Sequence, residues 1–343
     1  MPAEATRLPQ GRKIILRSGY KVSAKAKAKT PSNDVKRPVA RKDMSKLAWT
    51  WKEMKNNWVS YVMLAPYYLI FLLFTILPVL VSLVLSFTRF NMLEPAQWAG
   101  IENYTRLFLA DDLFITACKN TLIFAAIIGP VSYLLSFCVA WFINELGPKL
   151  RALVTLIFYA PNIGGSVYLI WKTAFSSDAY GYVNGVLLDL GVIDKPILWF
   201  ADAKYIMTLC IVVALWLSLG TAFLNFVAGL QIVDRSLYEA GAVDGISNRW
   251  QELWYITLPY MKPQLLFGAV LAITQSFSFG AVVTDLCGFP STDYAAWTIM
   301  HHLDDYGGAR FEIGYASAIA TILFIVMIGA NGLVKKLLSK VGT

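Results

Sequence analysis

Six long apolar segments run along the chain, and shorter polar segments separate them. Each apolar segment is near or above the roughly 20 residues that an α-helix needs to cross the hydrocarbon core of a bilayer. A membrane segment of this kind is helical, because its backbone polar groups cannot stay unpaired in lipid. The pattern therefore predicts an all-α, polytopic membrane protein with six transmembrane helices. The predicted spans are 58–87, 122–143, 150–175, 205–230, 264–287 and 313–334.

The charges between the spans predict the side of the membrane on which each polar segment lies. An even number of spans places both termini on one side, and lysine and arginine are concentrated in the segments of that side. Basic residues favour the cytoplasm, so both termini are predicted to be cytoplasmic. The segments of the opposite side, 91–121, 176–204 and 288–312, carry more carboxylates than basic residues.

Residues 234–263 form the longest polar interruption in the second half of the chain, and we term this segment the polar loop. Residues 236–242 form a predicted short helix whose small side chains leave one face open to close approach by another backbone. The pair Asp244-Gly245 suits a tight turn, because glycine tolerates a positive φ and aspartate bonds to neighbouring backbone groups. The first half of the polar loop is therefore predicted to be a helix followed by a turn.

The second half of the polar loop is also predicted to be helical. Trp250, Leu253 and Trp254 have the i, i+3, i+4 spacing of one apolar helix face. Pro259 and Pro263 then restrict the backbone where the chain approaches the next span.

The polar loop resembles the EAA loop of permease subunits in binding-protein-dependent ABC importers. The likeness rests on Glu239-Ala240-Gly241, Asp244-Gly245, Ile256-Thr257-Leu258-Pro259 and Pro263. In that family the loop forms a coupling helix that sits in a cleft of the ATPase subunit. The resemblance implies a type I ABC importer permease fold, with a cytoplasmic coupling helix between the fourth and fifth helices. The residues that it assigns to coupling with the ATPase are Glu239, Ala240, Gly241, Asp244 and Gly245, although Gly241 stands where the family usually has alanine.

Other segments are similar to carbohydrate importer permeases of the maltose type, and the likeness covers roughly residues 58–338. These segments include Gly100-Ile101-Glu102-Asn103-Tyr104, Phe108, Asn120-Thr121-Leu122 and residues 314–319. The resemblance implies a permease subunit, not an enzyme, that forms the path for a sugar or oligosaccharide across a bacterial cell membrane. Its implied partners are a second permease subunit, two ATPase subunits and an extracellular solute-binding protein. ATP and Mg are expected on the ATPase, with no cofactor in this chain; the second permease is either a related subunit or a second copy.

Composition supports a membrane protein, since 57% of the residues are hydrophobic and only 15% are charged.

The net charge of +8 is concentrated in the first 55 residues, which hold 15 basic and 4 acidic side chains. The rest of the chain holds 15 basic and 18 acidic side chains. Residues 1–57 are therefore predicted to be a basic cytoplasmic tail, disordered to about Pro38, ahead of a permease domain at 58–338. Such a tail can contact anionic membrane lipid, and nothing else in the charge pattern suggests nucleic acid.

Several kinds of chemical site are missing from the sequence. No G-x-x-x-x-G-K-[ST] run is present to hold ATP phosphates. The four cysteines have no paired spacing, which favours packing roles over a zinc site or a disulfide framework. His301 and His302 are adjacent in the segment 288–312, but a metal site would need further ligands.

Polar residues inside the spans are the candidates for a substrate path, because their burial in lipid is costly unless they face a cavity or a partner. The tentative path residues are Asn162, Asn225, Gln275, Ser276 and Ser278. Pro161 and the glycines that follow predict an interruption of the third helix at that depth. Aromatic residues beside them, such as Tyr168, can stack on sugar rings. The alternative is that the small polar residues serve tight helix packing.

Two other functions remain open at this point. An ABC importer of another polar solute, such as a polyol phosphate, would need a cation in its path, and Lys172 is the candidate within a span. An ion-coupled secondary transporter usually has ionisable residues at mid-membrane. Apart from Lys172 and Asp285, both near the ends of spans, this chain has none in the predicted spans.

Overall fold

A computed structural model describes residues 46–164 and 167–338 of the chain, and most of these residues are helical. The helices, numbered in chain order, are α1 (Lys46–Asn56), α2 (Trp58–Phe71), α3 (Leu77–Leu85), α4 (Glu102–Leu109), α5 (Asp112–Asn144), α6 (Pro148–Tyr159), α7 (Val167–Ala174), α8 (Tyr182–Asp189), α9 (Ala203–Leu217), α10 (Thr221–Ile232), α11 (Arg235–Val243), α12 (Arg249–Glu252), α13 (Leu258–Tyr260), α14 (Lys262–Phe277), α15 (Gly280–Cys287), α16 (Ile299–Asp304) and α17 (Ile313–Leu338). Shorter helical turns are π-helical at Leu72–Ile76, Leu253–Thr257 and Asp305–Ala309, and 3₁₀ at Ala160–Asn162 and Thr292–Tyr294. Two short strands, β1 (Thr88–Arg89) and β2 (Gln97–Trp98), pair antiparallel. The prediction of an all-α protein is confirmed.

The chain divides into two compact units after Pro66. Most of the predicted basic tail, 1–57, lies outside the described residues, and α1 is formed by its last part. The described part of the first unit also holds the beginning of α2. Helices α3 to α17, which include the polar loop, lie within the second unit, which begins at Tyr67.

The number of candidate spans agrees with the six predicted. Within residues 46–164 and 167–338, four helical segments are long and apolar enough to cross a membrane: Trp58–Leu85, Asp112–Asn144, Ala203–Ile232 and Ile313–Leu338. Two more are bent pairs, namely Pro148–Asn162 with Val167–Ala174 at 79° and Arg249–Tyr260 with Lys262–Phe277 at 81°. Each bent pair makes one span if its two helices are counted together, which gives six. The second pair includes residues of the polar loop, whereas the predicted fifth span, 264–287, corresponds to α14 and α15.

The second span is longer than predicted, because α5 begins ten residues before the expected start at 122. Asp111 caps its first turn by accepting a hydrogen bond from the Phe114 amide at 3.0 Å. Four of residues 112–121 are buried against other protein segments, and the mixed polarity of this stretch explains why it was not recognised as part of an apolar span. The contacts of Asn120 and Thr121 with the segment near residue 297 show this packing.

The third, fourth and fifth spans are interrupted, but only the interruption of the third span was predicted from the sequence. The break between α6 and α7 follows Pro161, as expected. The breaks at Ser218 to Gly220 and at Ser278 to Phe279 contain no proline. Tertiary hydrogen bonds stabilise the break in the fourth span: the Asn162 Nδ2 donates to the Leu219 carbonyl at 3.0 Å, and the Ser136 Oγ donates to the Ser218 carbonyl at 3.3 Å. Carbonyls released from the helical ladder thus find partners inside the protein.

Helix α5 lies at the centre of the second unit and packs against α9, α10 and α14. Helices α10 and α14 also pack on each other, and Gly268 permits this close approach. A Cβ at residue 268 would lie 2.4 Å from the Cζ of Phe226. Membrane helix interfaces commonly use glycine in this way.

Two of the four cysteines lie side by side, which their sequence spacing did not predict. The Sγ atoms of Cys210 on α9 and Cys287 on α15 are 3.6 Å apart, and both thiols are free. Cys210 and Cys287 are 77 positions apart in the sequence, and their contact depends on the packing of two separate helices.

Candidate functional site

A cavity of about 320 Å³ lies at the level of the three helix breaks. Each break contributes to its lining: Asn162 from the third span, Ser218 from the fourth, and Ser278 with Phe279 from the fifth. Helix α5 adds Ile128 and Ser132 to the wall. Irregular backbone at membrane depth is tolerated where it lines a cavity, so the position of this cavity explains why the three breaks occur together.

Three of the five predicted path residues, Asn162, Gln275 and Ser278, line this cavity. The amide of Asn162 is already bonded to the fourth span, and the Ser278 Oγ donates to the Thr274 carbonyl at 3.0 Å. The side-chain amide of Gln275 is exposed and makes no hydrogen bond to any other described residue. Gln275 is therefore the cavity residue most available to bind a solute.

The other two predicted path residues, Asn225 and Ser276, do not line the cavity. Asn225 Nδ2 donates to the Gln264 carbonyl at 2.9 Å and so joins α10 to α14. Ser276 is buried, and its Oγ donates to the Ile273 carbonyl at 2.8 Å on a face that packs against Gly129 of α5. The alternative interpretation, tight helix packing, holds for these two residues. Adjacent residues of a helix point about 100° apart, so Ser276 cannot share the face of Gln275.

The first half of the polar loop has the predicted helix and turn. Asp234 caps α11 by accepting a hydrogen bond from the Ser236 amide at 3.0 Å, and the chain reverses at Gly245, where φ is +94°. The Tyr238 hydroxyl lies 2.9 Å from the Thr257 Oγ1, which joins α11 to the second half of the loop.

Four of the five predicted coupling residues are exposed: Glu239, Ala240, Asp244 and Gly245. Gly241 is buried instead, and a Cβ there would lie 2.7 Å from the Cδ1 of Ile256. The small size of Gly241 is therefore required by packing within the polar loop. The predicted ATPase-docking face is left with the four exposed residues around Gly241.

The predicted apolar stripe in the second half of the polar loop is only partly formed. Leu253 is 7% exposed, but Trp250 and Trp254 are 70% and 65% exposed. The α-helix ends at Glu252 and a π-helical turn begins at Leu253, so the helical geometry on which the predicted stripe depends changes between Trp250 and Trp254. Both tryptophans are left on the surface of the loop.

Comparison with known proteins identifies the family. The family model described as "Binding-protein-dependent transport system inner membrane component" matches residues 48–341. The chain belongs to this family. The match begins ten residues before the start of the resemblance noted in the sequence and therefore includes most of α1. Members are transporter permeases of the inner membrane, which agrees with the several apolar helices of this chain.

Individual relatives support the same assignment. This permease is 29% identical over 279 residues to the "Probable ABC transporter permease protein YesP" of Bacillus subtilis (strain 168), which covers 80% of this chain and 88% of the relative. It is 30% identical over 286 residues to the "Arabinooligosaccharides transport system permease protein AraP" of the same organism, covering 81% of this chain and 88% of the relative.

A solved structure resembles the permease over most of its length. It is a bacterial alginate ABC transporter in complex with an alginate pentasaccharide-bound periplasmic protein. One chain of that structure is 27% identical, with a TM-score of 0.67, and the match covers 85% of this permease and 99% of that chain. The predicted type I ABC importer permease fold is confirmed.

His301 and His302 of the permease are buried, with 1% and 0% of their surfaces exposed. The Trp297 Nε1 donates to the His302 Nδ1 at 3.3 Å, so the His302 proton lies on Nε2 and is donated to the Asp111 Oδ2 at 3.0 Å. The Thr298 amide donates to the His301 Nδ1 at 3.3 Å, which leaves the His301 Nε2 to donate to the Thr284 Oγ1 at 3.1 Å. Both rings are thus neutral hydrogen-bonding groups that hold α16 against its neighbours.

Within the described residues, no group of three or more histidine, cysteine, aspartate or glutamate side chains is placed to hold a metal ion. Burial lowers the pKa of His301 to about 4. Burial also lowers the pKa of His302, although Asp111 favours its protonated form. The histidine pair therefore has a structural role in the permease, as part of a buried network.

The pKa of His301 predicts a specific loss of stability in acid. A histidine titrates near 6.5 in an unfolded chain, so between pH 6.5 and 4 the unfolded permease binds a proton that the folded one does not. Stability should be complete above pH 6.5 and should fall as the pH decreases through this window, by about 3 kcal/mol from this residue. Thermal unfolding of purified permease in detergent at several pH values measures the effect.

The matched control is His301→Asn, which keeps an acceptor toward Thr298 and removes the titrating ring. Its unfolding temperature should depend less on pH between 6.5 and 4 than that of the unchanged permease, whatever its absolute stability. Equal pH dependence of the two proteins would contradict the assignment of a neutral, buried His301.

Proposed function

We propose that this permease forms the transmembrane path for a sugar or oligosaccharide, which an extracellular solute-binding protein delivers and ATP hydrolysis in a separate ATPase subunit drives. The observation that carries the proposal is the cavity at the three helix breaks, with the exposed side-chain amide of Gln275 in its wall, which makes no hydrogen bond to another described residue. The names of AraP and of the alginate transporter refer to oligosaccharides and to a polysaccharide. Their likeness to this chain supports the same substrate class.

The chemistry of the cavity suits an uncharged polyol. Gln275 offers both a donor and an acceptor, and Tyr168 and Phe279 offer aromatic faces for a sugar ring. None of the side chains that line the cavity is charged. Lys172, the cation that a phosphate-bearing solute would need, lines a different crevice with Asp178 and Tyr180.

The exposed residues of the polar loop provide the surface for the ATPase in this proposal. Glu239, Ala240, Asp244 and Gly245 form one exposed group at the end of α11, and Gly241 positions it by packing against Ile256. ATP and Mg are bound by the ATPase partner and supply the free energy for transport.

The assembly that we infer contains two permease subunits and two ATPase subunits. One chain supplies a single polar loop and six spans, whereas transporter pathways are typically built between two repeats. The second permease is a related subunit in this proposal. The two termini and the polar loop lie on the cytoplasmic side, because the basic residues are concentrated there.

Uptake in vesicles that contain the permease, its ATPase and its solute-binding protein tests the function. The vesicles are loaded with ATP, and uptake of labelled oligosaccharide is measured with and without an uncoupler. We expect uptake that requires ATP and survives the uncoupler. Gln275→Ala should lower uptake by about fivefold to tenfold, since a hydrogen bond contributes on the order of 1 kcal/mol.

Two further variants separate the alternatives. Thr274→Ala is the matched control, because Thr274 is exposed on the same helix outside the cavity lining and, among the described residues, its Oγ1 bonds only to the Val270 carbonyl. Lys172→Gln should leave uptake unchanged for a neutral sugar. ATP-independent uptake that an uncoupler abolishes would refute the importer, whereas a loss at Lys172 without a loss at Gln275 would refute only the neutral substrate.

A further inference from the structure

Helix α5 is long enough to connect the two ends of the second unit. Its 33 residues span about 50 Å at 1.5 Å per residue, whereas the hydrocarbon core of a bilayer is about 30 Å thick. The helix is therefore longer than the hydrocarbon core is thick, and its two ends contact different groups of loops. Pro130 removes one backbone hydrogen bond from the helix without interrupting it.

The C-terminal end of α5 is joined to the polar loop. Glu145 follows the last residue of α5, and its Oε2 accepts a hydrogen bond from the Arg249 Nη2 at 2.8 Å. The ring centroids of Trp141 on α5 and Trp250 on α12 are 5.2 Å apart. Arg249 also donates to Glu252 of the same helix at 2.7 Å. The contacts begin four residues after the turn at Gly245, next to the surface that we assign to the ATPase.

The N-terminal end of α5 is joined to the segment that contains α16. Asn120 Nδ2 donates to the Trp297 carbonyl at 3.0 Å, and the Thr121 Oγ1 accepts from the Ile299 amide at 2.9 Å. Asp111, the cap of α5, accepts hydrogen bonds from His302 and from Tyr315. These groups are buried or nearly so, and they are attached directly to the first three turns of α5.

The middle of α5 forms part of the cavity wall through Ile128 and Ser132. One continuous helix thus touches the polar loop, the candidate substrate cavity and the loops at the opposite end of the second unit. The spans that supply the rest of the cavity are broken at this depth, so α5 is the unbroken element among those that line it. Movement of either end of an unbroken helix is carried along its length.

We infer that the Glu145–Arg249 ion pair, together with the Trp141–Trp250 contact, is the joint through which the polar loop moves α5 and so couples the ATPase to the cavity. Glu145 is a positioning residue in this mechanism and does not touch the solute. The inference rests on the proposed function, because it takes the polar loop as the ATPase surface. Both side chains of the pair are about half exposed, and exposed ion pairs contribute little to stability. The pair can therefore be broken without unfolding the permease.

Charge exchange between residues 145 and 249 tests the joint. The variants are Glu145→Arg, Arg249→Glu and the double exchange, each assembled with the ATPase and reconstituted with the solute-binding protein. The readouts are basal ATP hydrolysis, its stimulation by loaded binding protein, and solute taken up per ATP hydrolysed. We expect each single variant to lower uptake per ATP by about tenfold, within the range typical of coupling between sites. Basal hydrolysis and the amount of assembled complex should stay unchanged, and the double exchange should recover most of the loss.

Glu252→Gln is the matched control. It removes the other carboxylate from Arg249, but Glu252 makes no ion pair with α5 within the described residues. Its uptake per ATP should equal that of the unchanged permease. The joint is refuted if the single variants couple normally, if Glu252→Gln is as defective as Glu145→Arg, or if the double exchange recovers nothing. All three of these outcomes concern the variants, and in each of them the unchanged permease still takes up solute with ATP. Failure of the proposed function would look different, because the unchanged permease itself would then show no ATP-driven uptake.

Discussion

Replacement of Gly314 by alanine is expected to destabilise this permease by about 3 kcal/mol, at the upper end of the cost of inserting a methyl group into a packed site. A Cβ at this position would lie 2.1 Å from the Thr88 carbonyl oxygen and 3.1 Å from the Phe90 amide nitrogen. Both contacts are backbone atoms, so no side-chain rotation relieves them. The Gly314 amide also donates to the Phe90 carbonyl at 3.0 Å, and a shift of β1 away from α17 would break that bond.

Thermal unfolding of the purified permease in detergent measures this effect. Gly329→Ala and Gly332→Ala are matched controls on the same helix, because a Cβ at either position meets no atom within 4 Å. The controls should be neutral or stabilising by up to about 1 kcal/mol, since alanine favours the helix over glycine. An unfolding temperature for Gly314→Ala equal to that of the controls would show that β1 does not pack on α17 in this way.

The second large effect is expected at the turn of the polar loop. Gly245→Trp should abolish stable association with the ATPase, with at least about tenfold weaker binding, which corresponds to about 1.4 kcal/mol. The φ of +94° at Gly245 disfavours any other residue, and the space around a Cβ there is empty, so a tryptophan would project into the proposed docking surface. Co-purification of the ATPase with tagged permease, followed by assays of ATP-driven uptake, measures the loss.

Gly191→Trp controls for the backbone strain. Gly191 also has a positive φ, +65°, and no atom lies within 4 Å of the position of its Cβ, but it follows α8 in a loop far along the chain from the polar loop. A non-glycine residue in such a conformation costs on the order of 1–3 kcal/mol. If both variants lose the ATPase equally, strain rather than docking explains the result, and normal co-purification of Gly245→Trp would refute the coupling assignment.

The candidate site was partly predictable from the sequence. Asn162, Gln275 and Ser278 were selected because polar groups at membrane depth need a cavity or a partner, and all three line the cavity. Asn225 met the same criterion but found its partner in a neighbouring helix, and Ser276 found its partner within its own helix. The criterion shows that a polar side chain within a span needs a hydrogen-bond partner or a cavity, but it does not show which atoms provide the partner.

Other features depended on residues that are distant in the chain. The buried network of His301 and His302 needs Asp111 and Thr284, and no local sequence pattern joins them to the two histidines. Similarly, the break at Ser218 to Gly220 is stabilised by Asn162 from another span. The sequence predicted the break at Pro161 because proline cannot donate a helical hydrogen bond.

The sequence by itself determined the class of protein, the number of spans and the helix and turn of the polar loop. These follow from the length of apolar segments and from local backbone preferences, both of which act over a few consecutive residues. The tertiary structure alone decided which polar side chains face the cavity, where α5 begins, and that Gly241 packs inward against Ile256. Those outcomes depend on contacts between separate helices, and an atom's neighbours in space are fixed only when the helices pack.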